Sequence, residues 1–324
     1  MLGALVALLA VAMAVAVLAG AVAIAPGDVL AALAGRSAGP EATIIRELRL
    51  PRVLAAAVVG AALAAAGALL QGLLRNPLAD PFVTGTSAGA TLAAVSALAV
   101  GAPALAVPAA AFGGALAAVW VVWRLARVGG APTVVTVLLA GVVLTAFSGA
   151  LVTLLLTASD RLALHLRATL GWLQGGVAVI DQGELAAAAL FVAVGLVAAV
   201  ALAPRLDAFA FGEETAATLG IDVGRVTAAT LAATALLAGA AVALAGLVGF
   251  VGLVVPHALR GIVGASHRRL VLAAVPAGAA TLVIADLGAR TLLAPAELPA
   301  GVITGLVGAP FFLALLVRSR RIAA

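Results

Sequence analysis

Long apolar stretches without a charged side chain alternate with short polar segments along almost the whole chain. The longest stretch lies between Asp80 and Arg124 and contains 43 uncharged residues, interrupted only by a Gly-Ala-Pro turn at 101–103. Because a bilayer core is crossed by about 20 apolar residues in a helix, this stretch predicts two membrane-spanning helices joined by a tight turn.

The same spacing repeats through the chain and predicts about ten spans in an all-α polytopic membrane protein. The predicted spans are residues 2–24, 51–73, 85–101, 104–123, 133–157, 185–203, 226–245, a short span that ends near 264, 270–289 and 299–317. The remaining polar segments are too short for a soluble catalytic domain, so residues 1–324 are expected to form one compact transmembrane domain. Residues 23–25 resemble a signal-cleavage site, but no basic segment precedes them, which favours a retained first span.

The composition excludes several classes of function. Charged side chains make up 10% of the chain, against about 25% in a typical soluble domain, and the basic ones are scattered rather than gathered into a nucleic-acid groove. All 18 basic residues are arginines. A P-loop ATPase site requires a lysine at the phosphates, so this chain cannot carry such a site itself. Cysteine is absent, which excludes disulfides and thiolate metal sites. No carboxylate pair or histidine cluster has the spacing of a metal site or an intramembrane active site.

An even number of spans places both termini on one side of the membrane. With that side taken as cytoplasmic, 11 arginines fall on the inner side and seven on the outer side, so the positive-inside rule predicts cytoplasmic termini. The outer arginines are Arg36, Arg46, Arg49, Arg52, Arg161, Arg167 and Arg290. Four of them cluster between residues 36 and 52 against the usual bias, which favours a binding role over headgroup anchoring.

Three blocks of motif residues follow one another from about residue 45. The first comprises 48–52, 60–64, Gly67, Gln71, 75–81, Gly85, Gly89 and Ala90; the second 249–257, Arg260, Gly264, His267 and Arg268; the third Asp286, Arg290, 297–299, Gly301 and 308–312. In this order and spacing they resemble the FecCD-type permeases, the membrane subunits of type II ATP-driven importers for ferric siderophores, haem and cobalamin. Ser266 departs from the pattern, which often has Asp at that position.

The resemblance implies the permease subunit of an ABC importer, with ten transmembrane helices and no enzymatic activity of its own. It also implies a second permease subunit, expected to be identical, and two cytoplasmic ATPase subunits that bind ATP and Mg²⁺. An external binding protein would deliver an iron–siderophore complex, haem or cobalamin. The chain would hold no cofactor or metal, contact lipid but no nucleic acid, and lie in the plasma (inner) membrane of a prokaryote.

An ion-gradient-driven secondary transporter is the alternative function. Such transporters often place ionisable residues near the bilayer midplane. Asp286 is the one acidic residue within a predicted span, and it has an arginine neighbour at Arg290. The sequence therefore favours the ATP-driven importer.

The resemblance assigns a binding-protein docking role to Arg49, Arg52 and Arg290. Arginines at these motif positions form salt bridges with glutamates of the binding protein, and the guanidinium offers a bidentate fork to a carboxylate. Asp286 lies four residues before Arg290, a spacing that predicts an intrahelical ion pair able to orient that arginine.

Two inner segments receive roles from the same resemblance. Asn76, Pro77 and Leu78 would form a cytoplasmic gate, and the alternative of a structural turn capped by the asparagine stays open. The polar loop at about 204–225 would carry the coupling helix that fits the ATPase subunit, the alternative being an ordinary amphipathic surface helix. Its candidate coupling residues are Ala208, Phe211, Gly212, Glu213, Ala216, Leu219 and Gly220.

Three further polar or aromatic side chains have simpler interpretations. Gln71 is expected to hydrogen-bond to another helix, and Trp172 to anchor at the membrane interface. His257, within a predicted span, is expected to be a structural histidine rather than a proton relay or metal ligand.

Overall fold

The computed structural model describes residues 1–20, 22–103, 105–127, 134–164, 166–177, 181–294 and 296–323. Throughout these residues every regular element is a helix, which confirms the predicted all-α class. Six helices are long and apolar enough to cross a membrane, and four shorter apolar helices accompany them in the described part of the chain. The predicted count of ten spans and the cytoplasmic side of the termini stay predictions.

The helices follow the predicted spans closely in order. They are α1 Leu2–Leu18, α2 Pro26–Leu33, α3 Pro40–Thr43, a π-helical turn Ile44–Arg49, α4 Leu50–Leu73, a 3₁₀ turn Pro81–Thr84, α5 Thr86–Ala99, α6 Ala106–Ala126, α7 Val134–Ala158, α8 Asp160–Leu164, α9 Leu166–Leu173, α10 Gln182–Phe209, α11 Glu213–Thr218, α12 Val223–Ala245, α13 Val251–Val263, α14 His267–Thr291 and α15 Ala300–Ala323.

Helix α4 is the centre of the bundle. Every residue from Val59 to Leu73 is buried, and α14, α12, α10 and α13 pack around this helix. A Cβ added at Gly60 would overlap the Gly278 carbonyl of α14, and one at Gly67 would overlap the Gly252 carbonyl of α13. These glycines let the backbones approach closely, as helix packing in lipid requires.

The first span and the segment after it differ from the prediction. Helix α1 ends at Leu18 rather than near residue 24, and the polar segment at 26–50 is largely helical. Residues 40–73 form a continuous helix, because the π-helical turn at Ile44–Arg49 accommodates Pro51, which has no backbone N–H to donate.

Helix α10 continues past the position where the sequence predicts its end. Pro204 lies inside α10, so the loop to α12 begins at about residue 210 rather than 204, and Ala208 belongs to α10. The fully buried side chains of Leu206 and Phe209 hold this last part of α10 against the core. That packing outweighs the helix-breaking tendency of the proline.

A proline in α13 explains the buried amide of Gln71. Pro256 cannot donate to the carbonyl four residues before it, which belongs to Gly252. The Gln71 side chain donates to this carbonyl at 3.4 Å and to that of Leu253 at 3.1 Å. The predicted interhelical hydrogen bond of Gln71 is therefore confirmed.

Polar residues collect at the two ends of the bundle. The end that carries Arg52, called the Arg52 end, includes the α1–α2 connection, α9 and the α14–α15 loop. The opposite end, called the Arg75 end, includes the loop after α4, helix α11 and the start of α7. Helix α4 connects the two ends.

Candidate functional site

An open cavity of about 760 Å³ lies at the Arg52 end and brings the three predicted docking arginines together. Arg49, Arg52, Arg290 and Glu297 line it together with Trp172 of α9. These residues come from the helix at 40–73, from α9, from α14 and from the loop before α15. Tertiary packing therefore assembles this charged cluster from distant parts of the chain.

Arg49 binds the carboxyl end of α1. Its guanidinium donates to the carbonyls of Val17 at 3.0 Å, Leu18 at 2.9 Å, and Val22. The side chain is only 5% exposed. A cation at this position satisfies carbonyls that a helix end leaves free and interacts favourably with the helix dipole. A Cβ at Gly20 would lie 2.8 Å from Nη2 of Arg49, so a larger residue there would push this guanidinium aside.

Asp286 is buried between two arginines. Its Oδ2 lies 3.0 Å from Nε of Arg290, which confirms the predicted i,i+4 ion pair, and its Oδ1 accepts from Nε of Arg52 at 3.0 Å. Arg290 is 5% exposed and also donates to the Ala16 carbonyl at 3.1 Å. Arg49 and Arg290 thus both hold the end of α1.

Arg52 makes a second ion pair that the sequence did not predict. Its Nη1 lies 2.7 Å from Oε2 of Glu297, in the loop between α14 and α15. The Arg52 side chain is 14% exposed and that of Glu297 is 50% exposed. The motif at 297–299 marked Glu297 as a candidate in the sequence. Its pairing with Arg52 could not be predicted, because the two residues lie 245 positions apart and meet only in the folded chain.

The predicted gate residues form a compact turn at the Arg75 end. Asn76 Oδ1 accepts the N–H of Leu78 at 3.0 Å, so the asparagine does cap a local turn, and Arg75 before it has a left-handed φ of 50°. Asp80 accepts the N–H of Phe82, and burial raises the pKa of the Asp80 carboxyl to about 6. Whether Asn76, Pro77 and Leu78 act as a gate stays a prediction.

The predicted short helix in the 204–225 loop is confirmed as α11. Gly212 and Gly220 bound it with φ of 106° and 82°, conformations that glycine adopts easily. Phe211 is 76% exposed and Leu219 66% exposed, whereas Ala216 is fully buried. The coupling role of these residues stays a prediction.

The gate loop and α11 lie against each other. Nη2 of Arg75 is 3.8 Å from Oε1 of Glu213, and both residues line a cavity of about 450 Å³ together with Val135 of α7. The pair is half-exposed, so its electrostatic contribution is small. Its significance is that it connects two segments for which the family resemblance implies separate roles.

A second contact at the Arg75 end was not predicted. Asp207 lies in the last turn of α10, and its Oδ1 accepts the backbone N–H of His267 at 2.8 Å. The same oxygen lies 2.7 Å from Nδ1 of the His267 ring. Asp207 therefore caps the start of α14 from a neighbouring helix. His257 is partly buried in α13, and no group of three His, Asp or Glu side chains in the described residues could hold a metal ion.

A bundle of apolar helices with charged side chains gathered at its two ends is the architecture of a polytopic membrane protein. Residues 8–318 match the FecCD transport family, and the chain belongs to that family. It is 42% identical over 282 residues to the cobalamin import system permease protein BtuC of Halobacterium salinarum, covering 87% of this chain and 75% of that one.

A second relative is similar in sequence, and a solved structure is similar in fold. The hemin transport system permease protein HmuU of Yersinia pestis is 40% identical over 279 residues, covering 84% of this chain and 83% of that one. A solved structure described as an inward-facing conformation of an ABC transporter, assigned to the metal-chelate type, superposes with a TM-score of 0.85 at 27% identity over 98% of both chains.

Family membership settles the general function. The chain is a multi-pass inner-membrane permease subunit of an ABC importer, and ATP hydrolysis takes place on separate subunits. The comparisons support this function and not the ion-gradient-driven secondary transporter.

Proposed function

We propose that this permease forms the translocation pathway for a large metal chelate, which is an iron–siderophore complex, haem or cobalamin. The observation that carries the proposal is the match to the FecCD family over almost the whole chain. Relatives named for cobalamin and for hemin import support this class of cargo. The chain holds no cofactor of its own in this proposal, and partner ATPase subunits bind ATP and Mg²⁺.

The Arg52 end receives the external binding protein. Arg49, Arg52 and Arg290 give the cavity there a positive character that suits glutamates on an approaching surface. Arg52 is the arginine best placed for direct contact, because it is 14% exposed whereas Arg49 and Arg290 are each 5% exposed and bind the end of α1. The other two orient the surface and contribute their charge.

The Arg75 end faces the ATPase subunits. Phe211 and Leu219 present two large apolar side chains on either side of α11, which suits insertion into a cleft of a partner protein. The contact between Arg75 and Glu213 places α11 beside the turn of Asn76, Pro77 and Leu78. Movement of the coupling helix can thereby reach the proposed gate without crossing the membrane.

A second, identical copy completes the pathway. Helices α7 and α15 each expose large apolar side chains, among them Val143 and Phe147 of α7 and Leu306 and Val307 of α15. Gly149 and Gly305 on the same helices have no neighbouring atoms where a Cβ would lie, so another helix can approach closely there. A twofold symmetric pair is the commonest closed arrangement of identical subunits.

Transport measurements test the proposed function. The permease is reconstituted in liposomes with its ATPase subunits, and uptake of cyanocobalamin, haemin and a ferric hydroxamate is followed with the binding protein outside and ATP inside. ATP-dependent uptake of one of these cargoes is expected. Accumulation driven by a proton or sodium gradient, with the permease alone, would show that the secondary-transporter alternative is correct.

A further inference from the structure

Glu297 already pairs with Arg52, the arginine to which the docking contact is assigned above. Its Oε2 lies 2.7 Å from Nη1 of Arg52, while Nε of the same guanidinium is bound to Asp286. Arg52 therefore has one buried carboxylate partner and one partner at the surface. A carboxylate from another protein that approaches Nη1 of Arg52 would therefore compete with Glu297 for the same donor.

The two partners of Arg52 differ in how easily they can be displaced. Asp286 is 1% exposed and also holds Arg290, so its removal would strand two guanidiniums away from water. Glu297 is half-exposed, and its carboxylate can return to water at little cost. An incoming carboxylate can therefore replace Glu297 at Arg52 at little cost, whereas replacement of Asp286 would be costly.

The backbone around Glu297 is held in place, so exchange requires movement of its side chain only. The N–H of Leu298 donates to the Ala289 carbonyl at 3.0 Å, and the N–H of Gly301 donates to the Gly175 carbonyl at 3.2 Å. These bonds fix the loop to the end of α14 and to the segment after α9. Rotation of the Glu297 side chain toward solvent leaves them intact.

The charge of the cluster suits an acidic partner. Arg52, Arg290 and Arg49 contribute three positive charges and Asp286 and Glu297 two negative ones, which leaves one net positive charge. When the Glu297 side chain turns away, the positive charge of Arg52 loses one partner, and a carboxylate of the docking protein can take its place.

We propose that Glu297 is an internal competitor for the binding protein: it holds Arg52 in the free permease and is displaced by a carboxylate of the docking partner. This inference rests on the proposed docking role of the Arg52 end. In this proposal Glu297 limits the affinity of the permease for the binding protein. The binding protein can then dissociate readily after it has delivered its cargo.

Binding measurements on charge-removing variants test the competition. The complex of permease and ATPase subunits is placed in nanodiscs, and the Kd of the importer's purified binding protein is measured for wild type and for Glu297→Gln. Removing a competing surface ion pair is expected to lower the Kd by about threefold to fivefold. Glu47→Gln is the matched control, because Glu47 is an exposed glutamate of the same end with no ion pair in the described residues.

A double-mutant cycle with Arg52→Gln separates the competition from a general charge effect. Arg52→Gln alone is expected to weaken binding, and Glu297→Gln is expected to give no further gain in that background. Equal gains from Glu297→Gln and Glu47→Gln, or a gain that persists without Arg52, would overturn the competition.

The two proposals fail in different ways. If Arg52→Gln weakens binding but Glu297→Gln does not strengthen it, docking at Arg52 stands and the competition is wrong. If Arg52→Gln leaves the Kd unchanged, the docking role itself is wrong. Size-exclusion profiles of the variants show whether each complex remains assembled.

Discussion

Single glycines in the middle of the bundle allow helix backbones to approach closely, and single charged residues form ion pairs at its two ends. Gly60 and Gly67 of α4 face backbone carbonyls of α14 and α13 with no room for a side chain. Lipid provides little hydrophobic drive between helices, so close packing of this kind carries more of the stability than in a soluble protein.

Gly67→Ala tests this packing. The added Cβ would overlap the Gly252 carbonyl oxygen, so α4 and α13 must separate, and we expect a loss of about 1–3 kcal/mol in unfolding free energy, the usual cost of overpacking. Thermal unfolding in detergent measures the change. Gly113→Ala in α6 is the control, because nothing lies within 4 Å of a Cβ at that position. Equal stability of the two variants would contradict the role of Gly67.

Asp286→Asn tests the buried ion pairs. Asp286 neutralises Arg52 and Arg290 away from water, and removing one partner of a buried pair costs about 3–5 kcal/mol. Asp222→Asn is the matched change at a surface pair with Arg225, where the expected loss is below about 1 kcal/mol. Chemical or thermal unfolding of the two variants compares them, and a similar loss for both would argue against a structural role of Asp286.

At the scale of elements, a proline inside a helix need not end that helix. Pro204 and Pro256 lie inside α10 and α13, because buried neighbours and the Gln71 amide compensate for the missing backbone donors. Gly212 and Gly220, in contrast, do mark the ends of α11. The result is a long helix, α10, that leads directly into a short helix exposed at the Arg75 end.

The exposed side chains of α11 predict an interaction surface. We expect Phe211→Ser combined with Leu219→Ser to abolish co-purification with the ATPase subunit, because both side chains are exposed at the proposed contact. Leu30→Ser, at an equally exposed leucine of the Arg52 end, is expected to leave co-purification unchanged. Retention of the ATPase subunit by the double variant would show that α11 is not the coupling contact.

At the scale of the whole molecule, helices α4 and α14 connect the two ends. Helix α14 begins at His267, which Asp207 of α10 caps, and carries Asp286 and Arg290 near its other end. Helix α4 begins beside Arg52 and ends before Arg75. The proposed docking surface and the proposed coupling surface are therefore joined by rigid elements that pack closely against each other.

Co-expression of two tagged copies tests whether the partner permease is identical. If the pathway forms between two copies of this chain, purification through one tag in mild detergent is expected to retain the copy with the other tag. Mixing separately purified copies after extraction is the control, and it should give no retention. Recovery of one tag only, together with a different permease chain, would show a heteromeric pair.

Much of the fold was predictable because the bilayer restricts what an apolar segment can do. Charge-free stretches such as 85–101 and 226–245 had to become helices, since backbone groups in lipid must be satisfied within the chain. The short helix α11 was also predictable from its polar start and terminal glycine. The early end of α1 and the helix at 40–49 were not, because they depend on Arg49 and on a π-helical turn before Pro51.

The sequence by itself determined the class of protein, the order of the helices and the identity of the charged residues at the two ends. Only the tertiary structure decided the long-range contacts of these charges: Arg49 with the carbonyls at the end of α1, and Arg52 with both Asp286 and Glu297. The physical reason is range. Hydrophobic length and local helix signals act within a segment, whereas an ion pair between residues 52 and 297 exists only after α4 and α14 have packed.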